Sequence, residues 1–206
     1  MKGVFQQLFA PWIYKVSISK EDSQKLFDYY VPEITKEGPT LPLPKGWQCR
    51  VYTSFENADN TGVDFSLFKR TLDKYVNSFL EETVAYETAF NFEENTNAKP
   101  WYNMYLKGSW QERHNHLPGT SFSVVYYLKF DPEKHLPTCF HTDNKLQPMM
   151  ARGTPLKEGS VPYWYCKELF FPKITQGDLV IFPSPLDHTV PVQTSDDPRM
   201  TIAFNF

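Results

Sequence analysis

Histidine is the residue type of this chain best suited to chemistry, and all five histidines lie in its C-terminal half: His114, His116, His135, His141 and His188. A neutral imidazole offers a lone pair near physiological pH, which makes histidine the commonest ligand of transition metals. His114 and His116 are two positions apart, so in an extended segment both side chains leave the same face while Asn115 points away. This spacing predicts that the two imidazoles could converge on one ion.

A second group of polar residues follows near the C-terminus. The run from Gly177 to Ser184 has the pattern of a turn, an apolar strand and a proline-rich corner, and it leads to His188 at the start of the next strand. Arg199 comes eleven positions later, and Thr201 would share a strand face with it. The order along the chain is therefore histidine, one residue, histidine, a long gap, histidine, and then Arg-x-Thr.

This order resembles that of the double-stranded β-helix oxygenases that depend on iron(II) and 2-oxoglutarate. The flanking segments are similar to a branch of that family related to the prolyl 4-hydroxylases. The resemblance covers about residues 101–206, and the first hundred residues match only loosely, as the helical support of the fold. The similar segments are Trp101-Tyr-Asn103, His114-Asn-His116 with Pro118, Ser121 to Leu128, Gly177 to Ser184 and Arg199 to Asn205.

The resemblance implies a site that holds iron(II) together with 2-oxoglutarate as cosubstrate. By their order, His114 and His188 would be two of the metal ligands. Arg199 would bind the far carboxylate of 2-oxoglutarate with its bidentate fork, and Thr201 would add a hydroxyl donor. His114, His188 and Arg199 are thus the implied catalytic residues. Tyr127, Asn103 and Ser123 are further candidates for contacts to the cosubstrate.

The third metal ligand departs from the pattern of most of the superfamily, which has a carboxylate two residues after the first histidine. This chain has His116 there. A neutral three-histidine site would leave the ion its full double charge and favour anionic ligands. Asp143 could instead reach in from a neighbouring strand, or the position could be left to water or an anion. We place His116 first and Asp143 second.

The segment His141-Thr-Asp143 is a rival first motif, because it spells the usual histidine-x-aspartate pattern. It lies too close to His188 for the strands that the fold normally places between them, so strand order favours His114. We expect His141 and His135 to be surface or hydrogen-bonded structural histidines. Arg199 has an alternative role too, since Asp196 and Asp197 are neighbours that could form an ordinary ion pair with it.

The predicted elements give a mainly β protein with flanking helices, a double-stranded β-helix or jelly roll. We expect one domain over residues 1–206, with 1–100 as helical and strand support and 101–206 as the jelly-roll core. In the first part, a strand is predicted at 12–18, a helix from Ser19 to about Tyr30, and a helix capped by Asp64 or Ser66. That second helix carries an apolar stripe from Phe68 to Leu80. Strands are then predicted at 101–106, 122–130, 138–141, 161–171, 178–182, 188–192 and 199–206.

The composition restricts the classes of partner and the compartment that we expect for the protein. The chain has 21 Lys and Arg against 24 Asp and Glu, so its net charge of −3 argues against nucleic acid as the main partner. Three cysteines without metal-ligand spacing fit a reducing, cytoplasmic compartment. No apolar run approaches the ~18 residues of a membrane span. The sequence leaves the oligomeric state open.

The function implied by the resemblance is a 2-oxoglutarate-dependent hydroxylase that releases succinate and carbon dioxide. Its substrate would be a protein side chain or a small amino-acid-like molecule. Trp101, Tyr102, Trp110 and the loop from Leu146 to Gly159 could shape the substrate entrance. Two other classes compete: a cupin-like metal protein without 2-oxoglutarate chemistry, and a non-catalytic jelly-roll structural protein.

Overall fold

The computed structural model describes residues 11–38, 43–57, 61–83, 90–92, 94–95, 98–141 and 168–206. Ten strands, two α-helices and a short 3-10 helix (Phe55–Asn57) lie in these ranges. In chain order the strands and α-helices are β1 (Tyr14–Ser17), α1 (Lys20–Glu37), β2 (Tyr52–Thr53), α2 (Ser66–Thr83), β3 (Trp101–Tyr105), β4 (Gln111–His114), β5 (Phe122–Lys129), β6 (Cys139–His141), β7 (Leu169–Phe170), β8 (Asp178–Pro183), β9 (His188–Val190) and β10 (Arg199–Asn205). The protein is therefore mainly β with two helices, as predicted.

The strands form two antiparallel sheets. The larger sheet has the order β1-β8-β5-β10-β3-β2, and the smaller has the order β4-β9-β6-β7. Every described strand pairing is antiparallel. Two strands of the larger sheet, β1 and β2, come from the first hundred residues, so the N-terminal half contributes to the sheet as well as supporting it.

Helix α1 begins where the sequence predicted and ends later. The Ser19 side chain accepts a hydrogen bond from the Asp22 amide at 3.1 Å, which caps the helix. The predicted end near Tyr30 is wrong, because the helix continues through Pro32 to Glu37. Tyr30 and Ile34 are both fully buried on one face. Their packing outweighs the backbone hydrogen bond that proline removes.

Helix α2 carries the predicted apolar stripe. Phe68, Leu72, Val76 and Phe79 are fully buried and belong to the main hydrophobic core, which lies between the helices and the larger sheet. The Asp64 carboxylate accepts a hydrogen bond from the Ser66 amide at 2.9 Å, where the helix begins. The two helices therefore cover one face of the larger sheet and leave its other face to the smaller sheet.

Most of the predicted strands form with small changes at their ends. The predicted strand 161–171 lies largely outside the described residues, of which only Leu169–Phe170 form a strand. The loop from Leu146 to Gly159 is likewise outside them. Strands β2 and β4 were not among the predicted strands. Two residues are too short to show a period, and the four residues of β4 were considered only as a segment that could be extended. Within the described part of the chain, no helix is long and apolar enough to cross a bilayer.

Candidate functional site

Strand pairing in the smaller sheet brings two distant histidines together. In the β4–β9 register, His114 lies directly opposite His188. His116 follows the end of β4, where its amide donates a hydrogen bond to the Ser184 carbonyl at 3.0 Å. On the opposite face, Arg113 and Asn115 both bind Asp187, with Arg113 Nη2 and Asn115 Nδ2 each 2.7 Å from a carboxylate oxygen. The alternation predicted for this segment is therefore present, with the imidazoles on one face.

The three imidazoles form a cluster whose ligand nitrogens all lie within 4.8 Å of one another. The Nε2 atoms of His116 and His188 are 3.3 Å apart. His114 Nδ1 lies 2.8 Å from the Glu112 carbonyl, and His188 Nδ1 lies 2.9 Å from the Leu186 carbonyl. A carbonyl oxygen can only accept, so each Nδ1 carries the proton and each Nε2 presents its lone pair to the cluster.

The protein environment keeps these imidazoles neutral. Burial lowers the pKa of His114 below its ordinary value. Burial, together with the neighbouring His114, lowers the pKa of His116 to about 4. Burial also lowers the pKa of His188 well below its ordinary value, and His114 and His116 lower it further. Neutral imidazoles are the form that binds a metal ion.

The donor set fits a divalent ion. The Nε2 atoms of His116 and His188 face one another across 3.3 Å, and this approach is favourable only with a proton or a cation between them. Two nitrogens each about 2.1 Å from one ion and at a right angle to each other are about 3.0 Å apart. The observed separation is close to that value. Three nitrogens on one side of an ion leave its other positions open for a cosubstrate and oxygen.

Arg199 is a buried cation for which the described part of the chain supplies no anionic partner. Its side chain is 0% exposed, and Nη2 donates a hydrogen bond to Thr138 Oγ1 at 3.2 Å. Its Nε and Nη1 have no hydrogen-bond partner among the described residues. The guanidinium carbon lies 4.6 Å from the ring centre of Tyr105 and 5.3 Å from that of Tyr127. A buried charge with unused donors is costly, so the site is suited to an anion that enters from solution.

The ion pair considered for Arg199 does not form. Asp196 binds Lys107 at 3.2 Å, and Asp197 binds Lys129 and Lys134. These carboxylates are thus paired with surface lysines, while the guanidinium is directed into the protein.

A cavity of about 500 Å³ joins the histidine cluster to Arg199. It is lined by residues of both sheets. The residues expected at the site that line it are His114, His116, His188, Arg199, Thr201, Asn103 and Ser123. A metal ion and a dicarboxylate would therefore share one enclosure.

The polar residues of the larger sheet differ in their free hydrogen-bonding capacity. Thr201 lies between Asn103 and Tyr127 in the strand register. Asn103 Oδ1 is buried without a hydrogen-bond partner among the described residues. The Ser123 hydroxyl lies 3.0 Å from that of Ser184. Tyr127 is not part of the cavity wall; its ring packs beside Arg199, and its hydroxyl accepts a hydrogen bond from the Thr138 amide at 3.1 Å.

Several residues considered in the sequence lie elsewhere. Asp143 is outside the described residues, so its part as a ligand stays a prediction. His135 is the structural histidine expected: it is buried, its Nδ1 accepts from the Asp131 amide and its Nε2 lies 2.9 Å from a backbone carbonyl. Of the aromatic residues assigned to the entrance, Trp101 lines the cavity, whereas Tyr102 and Trp110 do not. Tyr102 points into the core on the other face of β3.

Some residues of the site were missed by the sequence analysis. Tyr105 and Gln111 line the cavity and are joined by a hydrogen bond of 2.7 Å between the Tyr105 hydroxyl and Gln111 Oε1. Trp47 and Phe55 form part of its mouth. Tyr105 lies opposite Arg199 in the β3–β10 register. The sequence could have indicated its role only if the pairing of these two strands had been known.

Several known proteins are similar to this chain. A family model described as "Putative 2OG-Fe(II) oxygenase" matches residues 99–205. A search of curated proteins finds no match. Among solved structures, a prolyl-4-hydroxylase from Pseudomonas putida has a TM-score of 0.53 at 12% identity, covering 95% of this chain and 92% of that one.

Two further structures are similar over most of their length. HygX from Streptomyces hygroscopicus, solved with nickel and 2-oxoglutarate bound, has a TM-score of 0.55 at 12% identity over 94% of this chain and 81% of that one. A prolyl hydroxylase from Trichoplax adhaerens, in complex with a peptide fragment of hypoxia inducible factor, has a TM-score of 0.55 at 13% identity over 94% and 83%. At such identities the likeness establishes the fold, and the predicted double-stranded β-helix is confirmed.

Proposed function

Because this chain belongs to the 2OG-Fe(II) oxygenase family, whose model covers residues 99–205, we propose that it hydroxylates a protein side chain or a small amino-acid-like substrate. Its cofactors are iron(II) and the cosubstrate 2-oxoglutarate. When bound, they supply the oxidising chemistry, in which oxygen converts 2-oxoglutarate to succinate and carbon dioxide and one oxygen atom enters a substrate C–H bond.

In this proposal His114, His116 and His188 hold the iron. The convergence of their ligand nitrogens within 4.8 Å is the observation that carries the proposal. Three neutral ligands leave the ion its double positive charge, so it attracts anionic oxygens more strongly than an ion that already has a carboxylate ligand. The carbonyls that accept from His114 Nδ1 and His188 Nδ1 fix both rings, which keeps their Nε2 atoms directed at the ion.

Arg199 binds the distal carboxylate of 2-oxoglutarate. Its Nε and Nη1 donors are unused, and Nη2 uses only one of its two N–H groups on Thr138. A carboxylate can therefore bind bidentately to the edge of the guanidinium that the second Nη2 N–H shares with Nε or with Nη1. The rings of Tyr105 and Tyr127 hold the guanidinium in place and exclude water. Thr201 and Asn103, which line the same cavity, offer further polar contacts to the carboxylate.

The substrate binds on the aromatic side of the cavity. Ring contacts run from His114 to Trp47 at 6.4 Å, from Trp47 to Phe55 at 5.5 Å, and from Phe55 to Trp101 at 4.9 Å. Trp101 in turn stacks on His116 at 6.1 Å. This wall packs against an aliphatic carbon chain and holds a C–H bond beside the metal ligands. A cavity of about 500 Å³ has room for one side chain or a small molecule beside the cosubstrate.

We also propose a cytoplasmic location. Cys49 and Cys139 are buried free thiols, which fit a reducing compartment.

Two measurements test the function. The first measures the melting temperature by thermal unfolding under anaerobic conditions. Addition of Mn(II) should raise it, and subsequent addition of N-oxalylglycine, an inert analogue of 2-oxoglutarate, should raise it again. A cupin-like metal protein would respond only to the metal, and a structural jelly roll to neither.

The second measures turnover of the Fe(II) protein in air, which should convert 2-oxoglutarate to succinate. Proline-containing peptides and free amino acids are then added in turn. A true substrate should accelerate succinate formation and gain the mass of one oxygen atom. His188→Ala is the control, which should lose both the formation of succinate and the oxidation of the substrate. Absence of any metal-dependent response to the analogue would refute the proposal.

A further inference from the structure

Gln111 is a buried amide that lines the cavity beside the histidine cluster. Its Oε1 accepts a hydrogen bond from the Tyr105 hydroxyl at 2.7 Å. Its Nε2 lies 3.5 Å from His114 Nε2, the nitrogen that faces the metal position. The amide thus connects the arginine end of the cavity to the metal end.

The hydrogen bonds fix which way this amide points. His114 Nδ1 donates to the Glu112 carbonyl, so His114 Nε2 carries only a lone pair. A flipped amide would set Gln111 Oε1 against that lone pair, acceptor against acceptor. The orientation with the NH₂ group toward His114 therefore satisfies both ends of the amide.

Metal binding removes the acceptor that this NH₂ group faces. Once the Nε2 lone pair of His114 binds an ion, it can no longer accept a hydrogen bond. Gln111 is only 7% exposed, and no other acceptor for its Nε2 is found among the described residues. Burying an amide donor without an acceptor is costly, so the loaded protein has a donor at the edge of the ion's coordination sphere that needs a new partner.

We propose that Gln111 binds 2-oxoglutarate, donating a hydrogen bond from Nε2 to an oxygen at the metal-chelating end of the cosubstrate. This rests on the proposed function. Arg199 and Gln111 then hold opposite ends of one molecule. Arg199 has unused donors already in the free protein, and Gln111 loses its acceptor when the metal binds.

Tyr105 is the positioning residue for Gln111. It is buried, its hydroxyl holds the amide oxygen, and the face of its ring lies under the Arg199 guanidinium. Removing the hydroxyl leaves the ring contact and frees the amide to turn. The Tyr105 hydroxyl also interacts with Arg199, so the comparison uses oxalate, which lacks the carboxylate that Arg199 binds. Tyr105→Phe should weaken oxalate binding in the wild type and have no further effect on it in a Gln111→Leu background.

The test compares two ligands of the Mn(II) protein under anaerobic conditions by calorimetry. N-oxalylglycine has both ends of the cosubstrate, whereas oxalate has only the metal-chelating end. Gln111→Leu removes the donor, and Gln111→Glu keeps an acceptor for the Tyr105 hydroxyl while replacing the donor by an anion. Because a hydrogen bond to a charged group is lost, we expect both variants to bind oxalate and N-oxalylglycine about 10- to 100-fold more weakly.

The matched control is Arg199→Met, which should weaken the binding of N-oxalylglycine and leave the binding of oxalate unchanged. Mn(II) affinity should be unchanged in Gln111→Leu and equal or higher in Gln111→Glu, where a carboxylate lies near the ion. Unchanged oxalate binding in Gln111→Leu would overturn the proposal, as would a tenfold loss of Mn(II) affinity, because the residue would then act by holding His114. If the wild-type protein binds neither ligand, the proposed function itself fails.

Discussion

Replacing Arg199 by methionine separates cosubstrate binding from metal binding. In the free protein the change removes two buried donors without partners, each costing about 1–3 kcal/mol. It also removes ring contacts worth about 1 kcal/mol each and one hydrogen bond of about 1 kcal/mol. These contributions oppose one another, so the free energy of unfolding of the variant should lie between about 1 kcal/mol below and about 3 kcal/mol above that of the wild type.

The response to the cosubstrate analogue should change far more. At 100 times its dissociation constant, N-oxalylglycine should add about 2.7 kcal/mol to the stability of the Mn(II) protein. For a chain of this size, that raises the melting temperature by roughly 5–11 °C. Loss of a buried charged pair costs about 3 kcal/mol, which weakens binding about 100-fold. At the same analogue concentration, the variant should gain only about 0.4 kcal/mol, or roughly 1 °C.

The assay is thermal unfolding of the Mn(II) protein with and without the analogue. Lys107→Met is a matched control, because it removes an exposed cation outside the cavity. Arg199→Lys keeps the charge without the fork and should fall between wild type and Arg199→Met. If Arg199→Met shifts as far as the wild type on addition of the analogue, the carboxylate binds elsewhere and our account of Arg199 is refuted.

Three further perturbations test other parts of the account. His116→Ala should lower Mn(II) affinity at least tenfold and Asp143→Ala should not, by calorimetry; equal retention in both would indicate an incomplete triad. Burial lowers the pKa of His135, so as the pH falls below ~6.5 the unfolded chain binds a proton that the folded protein does not. The free energy of unfolding of the wild type should therefore drop relative to that of His135→Asn by up to ~1.4 kcal/mol per pH unit, and parallel profiles would contradict this. Ser19→Ala should cost about 1 kcal/mol in urea unfolding, since it removes the α1 cap, and an unchanged midpoint would count against the cap.

The sequence predicted those parts of the site that depend on local periodicity. His114 and His116 share a face because strand residues alternate. The same alternation places Arg113 and Asn115 on the other face, where the structure pairs them with Asp187. The position of His188 at a strand start followed from the turn and proline signals before it. These features need no knowledge of which strands become neighbours.

The remaining features depend on pairings between distant strands. Tyr105 lies opposite Arg199 only because β3 pairs with β10, and Thr138 reaches the guanidinium across the cavity. Gln111 showed no pattern in the sequence, because its role comes from one hydrogen bond to Tyr105 and one approach to His114. Helix α1 extends beyond its predicted end because the packing of its buried face outweighs the local effect of Pro32.

The most direct test of the central claim is a crystal structure of the protein with Mn(II) and N-oxalylglycine, grown without oxygen. The account predicts one ion on the Nε2 atoms of His114, His116 and His188, and the far carboxylate of the analogue on the guanidinium of Arg199. An ion held by other side chains, or an analogue bound away from Arg199, would contradict it.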